Sequence, residues 1–275
     1  MSAAHARPPA RKRYGQHYLV DQGTLSAIVG MARLSSDDVV LEVGAADGLL
    51  TSRLVEVAGF VHAFEIDERF AGALGRLAAG RDDLRLYLAD GLRYRLAELD
   101  PAPTAVVANL AYNIAVPLIM RTIETLPSVR RWAVMLQREL AERLFAAPRT
   151  KAYSAVSVMV QLSCTLEAQR PVGRTVFSPQ PRVDSAFVTF TRAEPGPGRD
   201  AEALGTLVRT AFGQRRKQLA NSLLGAAPPA AEPLTRAAVQ DALAALGLPA
   251  TTRPEELTPA HFVALGRRLG WLEAS

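Results

Sequence analysis

Five short apolar runs, each followed by a stretch with helical periodicity, limit this chain to few architectures. The runs are VVLEV (39–43), FVHAFE (60–65), LRLYLA (84–89), TAVVAN (104–109) and RWAVMLQ (131–137). Strands this short and this continuously apolar are buried on both faces and need helices to cover them. Segments 49–58, 68–79, 116–126 and 138–146 supply those helices. Strand alternating with helix is the rhythm of a parallel sheet, so the expected fold is α/β, a Rossmann-like doubly wound sheet. Two later runs, SCTLEAQRPV (163–172) and SAFVTFT (185–191), are separated by the turn FSPQPRVD and no helix. They are expected to pair antiparallel at one edge.

The organisation beyond the sheet follows from composition shifts. AEPGPGRDAEA (193–203) combines Gly, Pro and charge as a linker does. After it, Leu204, Leu207, Val208, Ala211 and Phe212 keep an amphipathic period, and AAVQDALAALGL and HFVALGRRLGWL read as further helices. The expectation is a main α/β domain over 14–192, a linker over 193–203 and a small all-helical domain over 204–275. Residues 1–13 hold His5, Arg7, Arg11, Lys12 and Arg13 with no acid, too polar and proline-rich to pack, and read as a mobile basic arm.

Several classes are excluded. Residues 101–120 carry no charge over twenty positions, about a bilayer span, but Pro101, Pro103, Asn109, Asn113 and Pro117 break them into a strand, a polar loop and a helix start. No membrane association is expected. Cys164 is the only cysteine, which forbids an intramolecular disulfide and any multi-cysteine metal site. The basic N-terminus lacks a following apolar stretch, so a cytoplasmic, metal-free protein is expected, with a monomer as the default state. A net charge of +5 leans toward a polyanionic partner. Only Lys12, Lys151 and Lys217 among 32 basic residues are lysines, a bias that GC-rich coding explains as readily as phosphate recognition.

Chemistry concentrates at the ends of the runs. EVGAADGLLT places Gly44 and Gly48 where the chain turns from strand into helix. Glu65 ends the second run, in FEID, about twenty positions on, where a carboxylate accepts the ribose hydroxyls of an adenosine cofactor. Asp90 ends the third run. These positions leave a nicotinamide cofactor and S-adenosylmethionine both open, and NLAYNI (109–114) separates them. The Asn109 amide oxygen and a backbone carbonyl, that of Leu110, accept the hydrogens of an exocyclic amine, while the Tyr112 ring stacks on the planar base. Such an amine is a poor nucleophile; accepting both its hydrogens favours a pyramidal, attacking nitrogen. Hydride transfer has no obvious use for this loop. Arg11, Lys12 and Arg13 in the arm, and Arg215, Arg216 and Lys217, are the natural phosphate contacts.

The ordered motifs YGQHYL (14–19), EVGAADGLLT, FEID, NLAYNI, PRTKAYSAVSV (148–158), VFSPQPRVDSA (176–186), FGQRRKQLANSL (212–223) and RPEELTPAHFVAL (253–265) span nearly the whole chain. With them the sequence resembles the bacterial KsgA family, the small-subunit ribosomal RNA adenine dimethyltransferases. The resemblance implies transfer of methyl groups from S-adenosylmethionine to N6 of two adjacent adenosines in a 3′-terminal hairpin loop of 16S rRNA, in the small ribosomal subunit or its precursor. It also implies that His17 and Leu19 touch the cofactor, that Gly44 and Glu65 hold its methionine part and ribose, and that Asp90 and Asn109 sit at its adenine and methyl ends. Phe177 is implied as an aromatic wall for the target base. The family usually has Gly-x-Gly-x-Gly where this chain has Gly44, Ala46 and Gly48. Asp47 replaces a common apolar residue, Ala111 the usual Pro, and His17 the more common Asn. If position 46 needs positive φ, Ala costs about 1 kcal/mol there. A large-subunit dimethylase of the macrolide-resistance type and a weakly active or non-catalytic ribosome-assembly factor are the alternatives.

Overall fold

Strands form at the apolar runs of the sequence. The computed structural model describes residues 7–194, 196, 198–214, 217–229 and 232–273, without the side chains of Lys12 and Arg199. Its strands are β1 (Tyr18–Leu19), β2 (Val39–Val43), β3 (Phe60–Glu65), β4 (Leu84–Leu88), β5 (Ala105–Asn109), β6 (Arg131–Gln137), β7 (Cys164–Val172), β8 (Phe177–Ser178) and β9 (Ser185–Arg192). Its helices are α1 (Gln22–Ala32), α2 (Leu49–Leu54), α3 (Ala71–Ala78), α4 (Tyr112–Thr125), α5 (Arg138–Leu144), α6 (Ala155–Ser163), α7 (Ala201–Phe212), α8 (Leu219–Ser222), α9 (Arg236–Ala244) and α10 (Pro259–Arg268).

Seven strands make one sheet in the order β4-β3-β2-β5-β6-β9-β7. β2 runs parallel to β3 and β5, β3 to β4, and β5 to β6. β9 joins antiparallel to β6 and carries β7 at the edge. Strand order reverses between β2 and β5, and an open α/β sheet has a crevice beyond its strand ends at such a switch point. β1 and β8 form a separate antiparallel pair in which Leu19 faces Phe177.

Burial explains why the runs are apolar throughout. Val40, Leu41, Val61, Phe64, Val107, Trp132 and Val134 are all buried, on both faces of the sheet. Trp132 also fixes α4: its Nε1 donates to Thr122 Oγ1 at 2.8 Å, and its ring stacks on Phe190 at 5.2 Å. His62 sits inside β3 between Tyr87 Oη at 3.1 Å and the Pro101 carbonyl at 2.8 Å, and burial lowers its pKa.

Element boundaries differ from the sequence expectation at instructive places. α2 ends at Leu54, short of 58, and the chain then turns at Gly59, where a Cβ would come within 2.0 Å of the Ser36 carbonyl oxygen. The 68–79 helix divides into a 3-10 turn (Glu68–Phe70) and α3. α4 begins at Tyr112 instead of 116, so Pro117 lies inside it. A proline there forfeits the ladder bond to Asn113. The buried set Ala115, Leu118, Ile119, Thr122 and Ile123 holds the helix regardless.

The chain divides into two units. One holds the described residues through Ala141 together with Leu166–Arg192, and contains nearly all of the sheet. The other holds Glu142–Thr165 and the described residues from Ala193 onward. Segment 142–165, assigned by sequence to the 14–192 domain, therefore groups with the helices. α7 starts at Ala201, inside the expected 193–203 linker. In this second unit Gly205 of α7 lets the Met159 side chain approach within 3.1 Å of its Cβ position. Tyr153 Oη donates to the Leu257 carbonyl at 2.7 Å. No described helix is long and apolar enough to cross a membrane.

The arm expected to be mobile is tied down over its described part, while residues 1–6 lie outside the described residues. Arg11 N donates to Gln16 Oε1 at 2.8 Å, Arg69 donates to the Pro9 carbonyl at 3.1 Å, and Ala10 packs on the sheet's core. Acids that a reading of the arm alone does not see, Asp47 and Asp67, pair with Arg7 and Arg11.

Candidate active site

The crevice holds a cavity of about 210 Å³, lined by residues 14–19 and by the ends of β2, β3, β5 and β6. Its first wall is the turn after β2. Gly44 N and Ala45 N both donate to the Phe64 carbonyl, at 2.8 and 3.0 Å, which bends the chain away from the strand. Gly44 has φ +91°, Ala46 +50° and Gly48 +82°. The alanine therefore adopts the left-handed conformation, at a cost of about 1 to 2 kcal/mol for an L-residue. A Cβ on Gly44 would stand 3.8 Å from the Asn109 carbonyl, in the cradle between this turn and β5.

Glu65, at the end of β3, is buried and takes one backbone amide on each oxygen: Asp67 N on Oε1 and Ala46 N on Oε2, both at 2.8 Å. A carboxylate oxygen accepts more than one hydrogen bond, so both oxygens can still receive a ribose hydroxyl. Burial pushes the Glu65 carboxyl up, against the pull of these amides. Behind it, Asp67 is held well below the usual carboxylate range, chiefly by its hydrogen bonds from Arg69. Gln16 Nε2 also reaches Asp67, at 3.1 Å, joining the segment before β1 to the end of β3.

The second wall is the Asn109–Tyr112 turn. Asn109 Nδ2 donates to the His17 carbonyl at 3.2 Å, which fixes the amide and leaves Oδ1 as its acceptor. His17 is itself fixed: Nδ1 donates to the Pro179 carbonyl at 2.8 Å, since a carbonyl only accepts. Leu110 N donates to the Met135 carbonyl at 3.1 Å. The first carbonyl used by α4 is that of Ala111, which takes Ile114 N and Ala115 N, so the Leu110 carbonyl lies upstream of the helix ladder. Tyr112 opens α4 with its side chain 61% exposed. Gly15, at φ +61°, allows close approach to this turn, its Cβ position lying 3.5 Å from Ala111 Cβ.

Of the residues singled out by sequence, His17, Leu19, Gly44, Glu65, Asn109, Leu110, Tyr112 and Phe177 line this one cavity. Leu19 and Phe177 face each other across β1 and β8 and belong also to the core. Asp90 is not among the lining residues; its carboxylate accepts Leu92 N at 2.9 Å and lies 3.6 Å from Arg93. Among the phosphate candidates, Arg11 lies 3.5 Å from Asp67 and Arg13 lies over the Tyr14 ring at 4.6 Å. Lys217 is exposed, and Arg215, Arg216 and the Lys12 side chain lie outside the described residues.

Glu42 opens the motif EVGAADGLLT, but the sequence reading gave it no role. It lines the cavity, is 1% exposed, and accepts Thr51 Oγ1 at 2.6 Å; burial pushes its carboxyl up to about 8. A signal was present: Glu42 is the one charged residue in VVLEV, a run whose apolarity already implies burial. Ile66, inside FEID and likewise given no role, lines the cavity next to Glu65. Three carboxyls thus line the cavity, of which Glu42 holds its proton near pH 7 and Asp47 is paired with Arg7. S-adenosylmethionine fits this set: Glu65 can receive its ribose hydroxyls, and glycine at 44 leaves the cradle beside Asn109 open.

Comparison with known proteins agrees with this geometry. The family model described as ribosomal RNA adenine dimethylase matches residues 8–245. The ribosomal RNA small subunit methyltransferase A of Rubrobacter xylanophilus is 43% identical over 262 residues, covering 95% of this chain and 96% of its own. That of Streptomyces coelicolor is 39% identical, covering 96% and 92%. Among solved structures, a dimethyladenosine transferase from Plasmodium falciparum superposes with TM-score 0.77 at 26% identity, covering 90% of this chain and 96% of its own. The 23S rRNA methyltransferase ErmE gives 0.68 at 29%, covering 92% and 99%. With the family model matched over most of its length, this chain belongs to the ribosomal RNA adenine dimethylase family.

Proposed function

We propose that the protein methylates N6 of adenosines in the 16S RNA of the small ribosomal subunit or its precursor, twice per base and on two adjacent adenosines, in the cytoplasm. It is an S-adenosylmethionine-dependent adenine dimethyltransferase. The observation that carries this reading is the fixed amide of Asn109: with Nδ2 held by the His17 carbonyl, Oδ1 is left as an acceptor in the same cavity as Glu65 and the exposed Tyr112 ring. Bound S-adenosylmethionine supplies an activated methyl on a sulfonium sulfur. Glu65 holds the ribose, and Gly44 leaves room beside Asn109. Asn109 Oδ1 and the Leu110 carbonyl accept the two hydrogens of the adenine amine, which localises the lone pair on nitrogen and aims it. Positioning does most of the work: each transfer would break the S–CH3 bond to leave a thioether and release one proton from the nitrogen to solvent, so no strong general base is required.

Tyr112 provides the stacking face for the base. Phe177 is 4% exposed and offers it a wall from within the core. Arg11, Arg13 and Lys217, with Lys12, Arg215 and Arg216, would contact RNA phosphates, with strong salt dependence and little sequence information. Small-subunit RNA is favoured over large-subunit RNA because the full-length relatives at 35–43% identity carry the small-subunit name.

The test is transfer of labelled methyl to ribosomal subunits from a strain lacking the modification, with the nucleoside identified by mass spectrometry. Dimethyladenosine confined to small-subunit RNA is expected; label in large-subunit RNA, or none, overturns the proposal. Asn109→Ala should lower the transfer rate about a hundredfold or more, the loss typical of one positioned polar partner, with RNA affinity within twofold of wild type. Equal loss of both would refute the role given to Asn109.

A further inference from the structure

The turn that shapes the cofactor cavity contains a residue that sterics disfavour. Ala46 holds φ +50° between two glycines that adopt positive φ freely. Its neighbour Asp47 lines the cavity and forms an ion pair with Arg7, both side chains 26% exposed. Arg7 itself is not a lining residue, so it grips Asp47 from outside the cavity. The guanidinium also lies 6.0 Å from the centre of the Tyr18 ring. The segment carrying Arg7 is anchored by the Arg69 bond to the Pro9 carbonyl and by Arg11 N on Gln16. A fixed cation thus meets the turn at the residue next to its strained position.

We infer that Arg7 is a positioning residue of the cofactor site: through Asp47 it holds the Ala45–Gly48 turn in the shape that binds S-adenosylmethionine. This rests on the cofactor proposed above and adds to it a residue whose side chain stays outside the cavity. Two features of this chain act together here. Alanine at 46 removes the conformational freedom a glycine would have, and Asp47 supplies a handle by which the arm restrains the turn. Without Arg7, the turn relaxes toward conformations in which Ala46 leaves the left-handed region, and Ala46 N leaves Glu65 Oε2 with it.

Calorimetric binding of S-adenosylmethionine to the full chain tests this. Arg7→Ala is expected to weaken binding about five- to tenfold, between the effect of an exposed ion pair and that of a buried charge-assisted hydrogen bond. Adding Asp47→Ala to Arg7→Ala should weaken it no further. Ala46→Gly should restore affinity in the Arg7→Ala background and change it less in wild type, because a glycine needs no restraint. Amide exchange of residues 45–48 in the ligand-free protein should speed up in Arg7→Ala and slow again in Arg7→Lys, which keeps the charge. The inference is overturned if Arg7→Ala binds S-adenosylmethionine as wild type or more tightly, or loses RNA affinity alone. It also fails if Ala46→Gly has the same effect in both backgrounds. A wild type that binds no S-adenosylmethionine overturns the proposed function together with this role. A wild type that binds and a variant that matches it overturn only this role.

Discussion

Glu42→Gln should stabilise the sheet unit by an amount that depends on pH in a defined way. Glu42 is 1% exposed and its carboxyl is pushed from 4.5 up to about 8, first by burial and further by the charges of Glu65 and Asp47, against the Thr51 hydrogen bond. A raised carboxyl favours the fold fully below 4.5, where both states are protonated, and the advantage is lost as pH rises toward 8. Across that window the folded state retains a proton that the unfolded state has released, at about 1.4 kcal/mol per pH unit. The loss reaches about 3 kcal/mol at pH 7 and about 5 kcal/mol above pH 8. Glutamine has the shape of the neutral acid and does not titrate, so Glu42→Gln should match wild type within about 1 kcal/mol at pH 5 and exceed it by about 3 kcal/mol at pH 7. Urea unfolding followed by Trp132 fluorescence reads the sheet unit; a Trp271→Phe background removes the other indole. Comparing the two proteins at each pH cancels every titrating group they share. A gap that stays constant from pH 5 to 8 would refute the argument, because it would mean Glu42 takes up no proton on folding.

Three further outcomes follow from single contacts. Tyr112→Ala should leave stability within about 0.5 kcal/mol, its ring being mostly exposed, while kcat/KM for RNA falls about 5- to 150-fold through lost stacking and Tyr112→Phe retains activity; steady-state kinetics with thermal melts checks both. Gly48→Ala combines φ +82° with a Cβ 2.9 Å from Leu77 Cδ2, and should cost about 2 kcal/mol by urea unfolding read at Trp132. Tyr153→Phe leaves the Leu257 carbonyl without its 2.7 Å partner, and should cost the helical unit about 1 to 2 kcal/mol, seen through Trp271 fluorescence.

The sheet was legible because its strands are apolar on both faces. Every residue of VVLEV except Glu42 argues for burial, and the observed β2, β3 and β6 coincide with the runs that predict them. Features decided by distant contacts were not legible. Local rules place a break at Pro117, yet the buried face of α4 carries the helix through it. β1 and β8 have two residues each, too few for periodicity, and exist because Leu19 meets Phe177 across the sequence. The arm looks mobile because its charges are all of one sign; Asp47 and Asp67, which pair with them, lie in turns after β2 and β3. Asp90 ends its run as Glu65 does and likewise accepts the amide two residues on, Leu92 N as against Asp67 N.

The departures from the family pattern at the cofactor turn acquire a physical meaning from Glu65. A positive φ at a non-glycine residue persists only where the surroundings over-determine it. Here Gly44 N and Ala45 N are held by the Phe64 carbonyl, Ala46 N by Glu65 Oε2, and Gly48 N by the Ala45 carbonyl at 2.9 Å. The cost of alanine at 46 is thus met by these hydrogen bonds together with the Arg7–Asp47 pair, and the cradle keeps its shape with one glycine fewer. In the cofactor placement proposed above, the carboxylate that shapes the turn also receives the ribose, so turn and cofactor would share one acceptor. Ribose hydroxyls add hydrogen bonds that favour the ionised form of Glu65, opposing the effect of its burial. Ionised, Glu65 also holds Ala46 N more firmly, so cofactor binding is expected to slow amide exchange at Ala46, and unchanged exchange would refute this coupling.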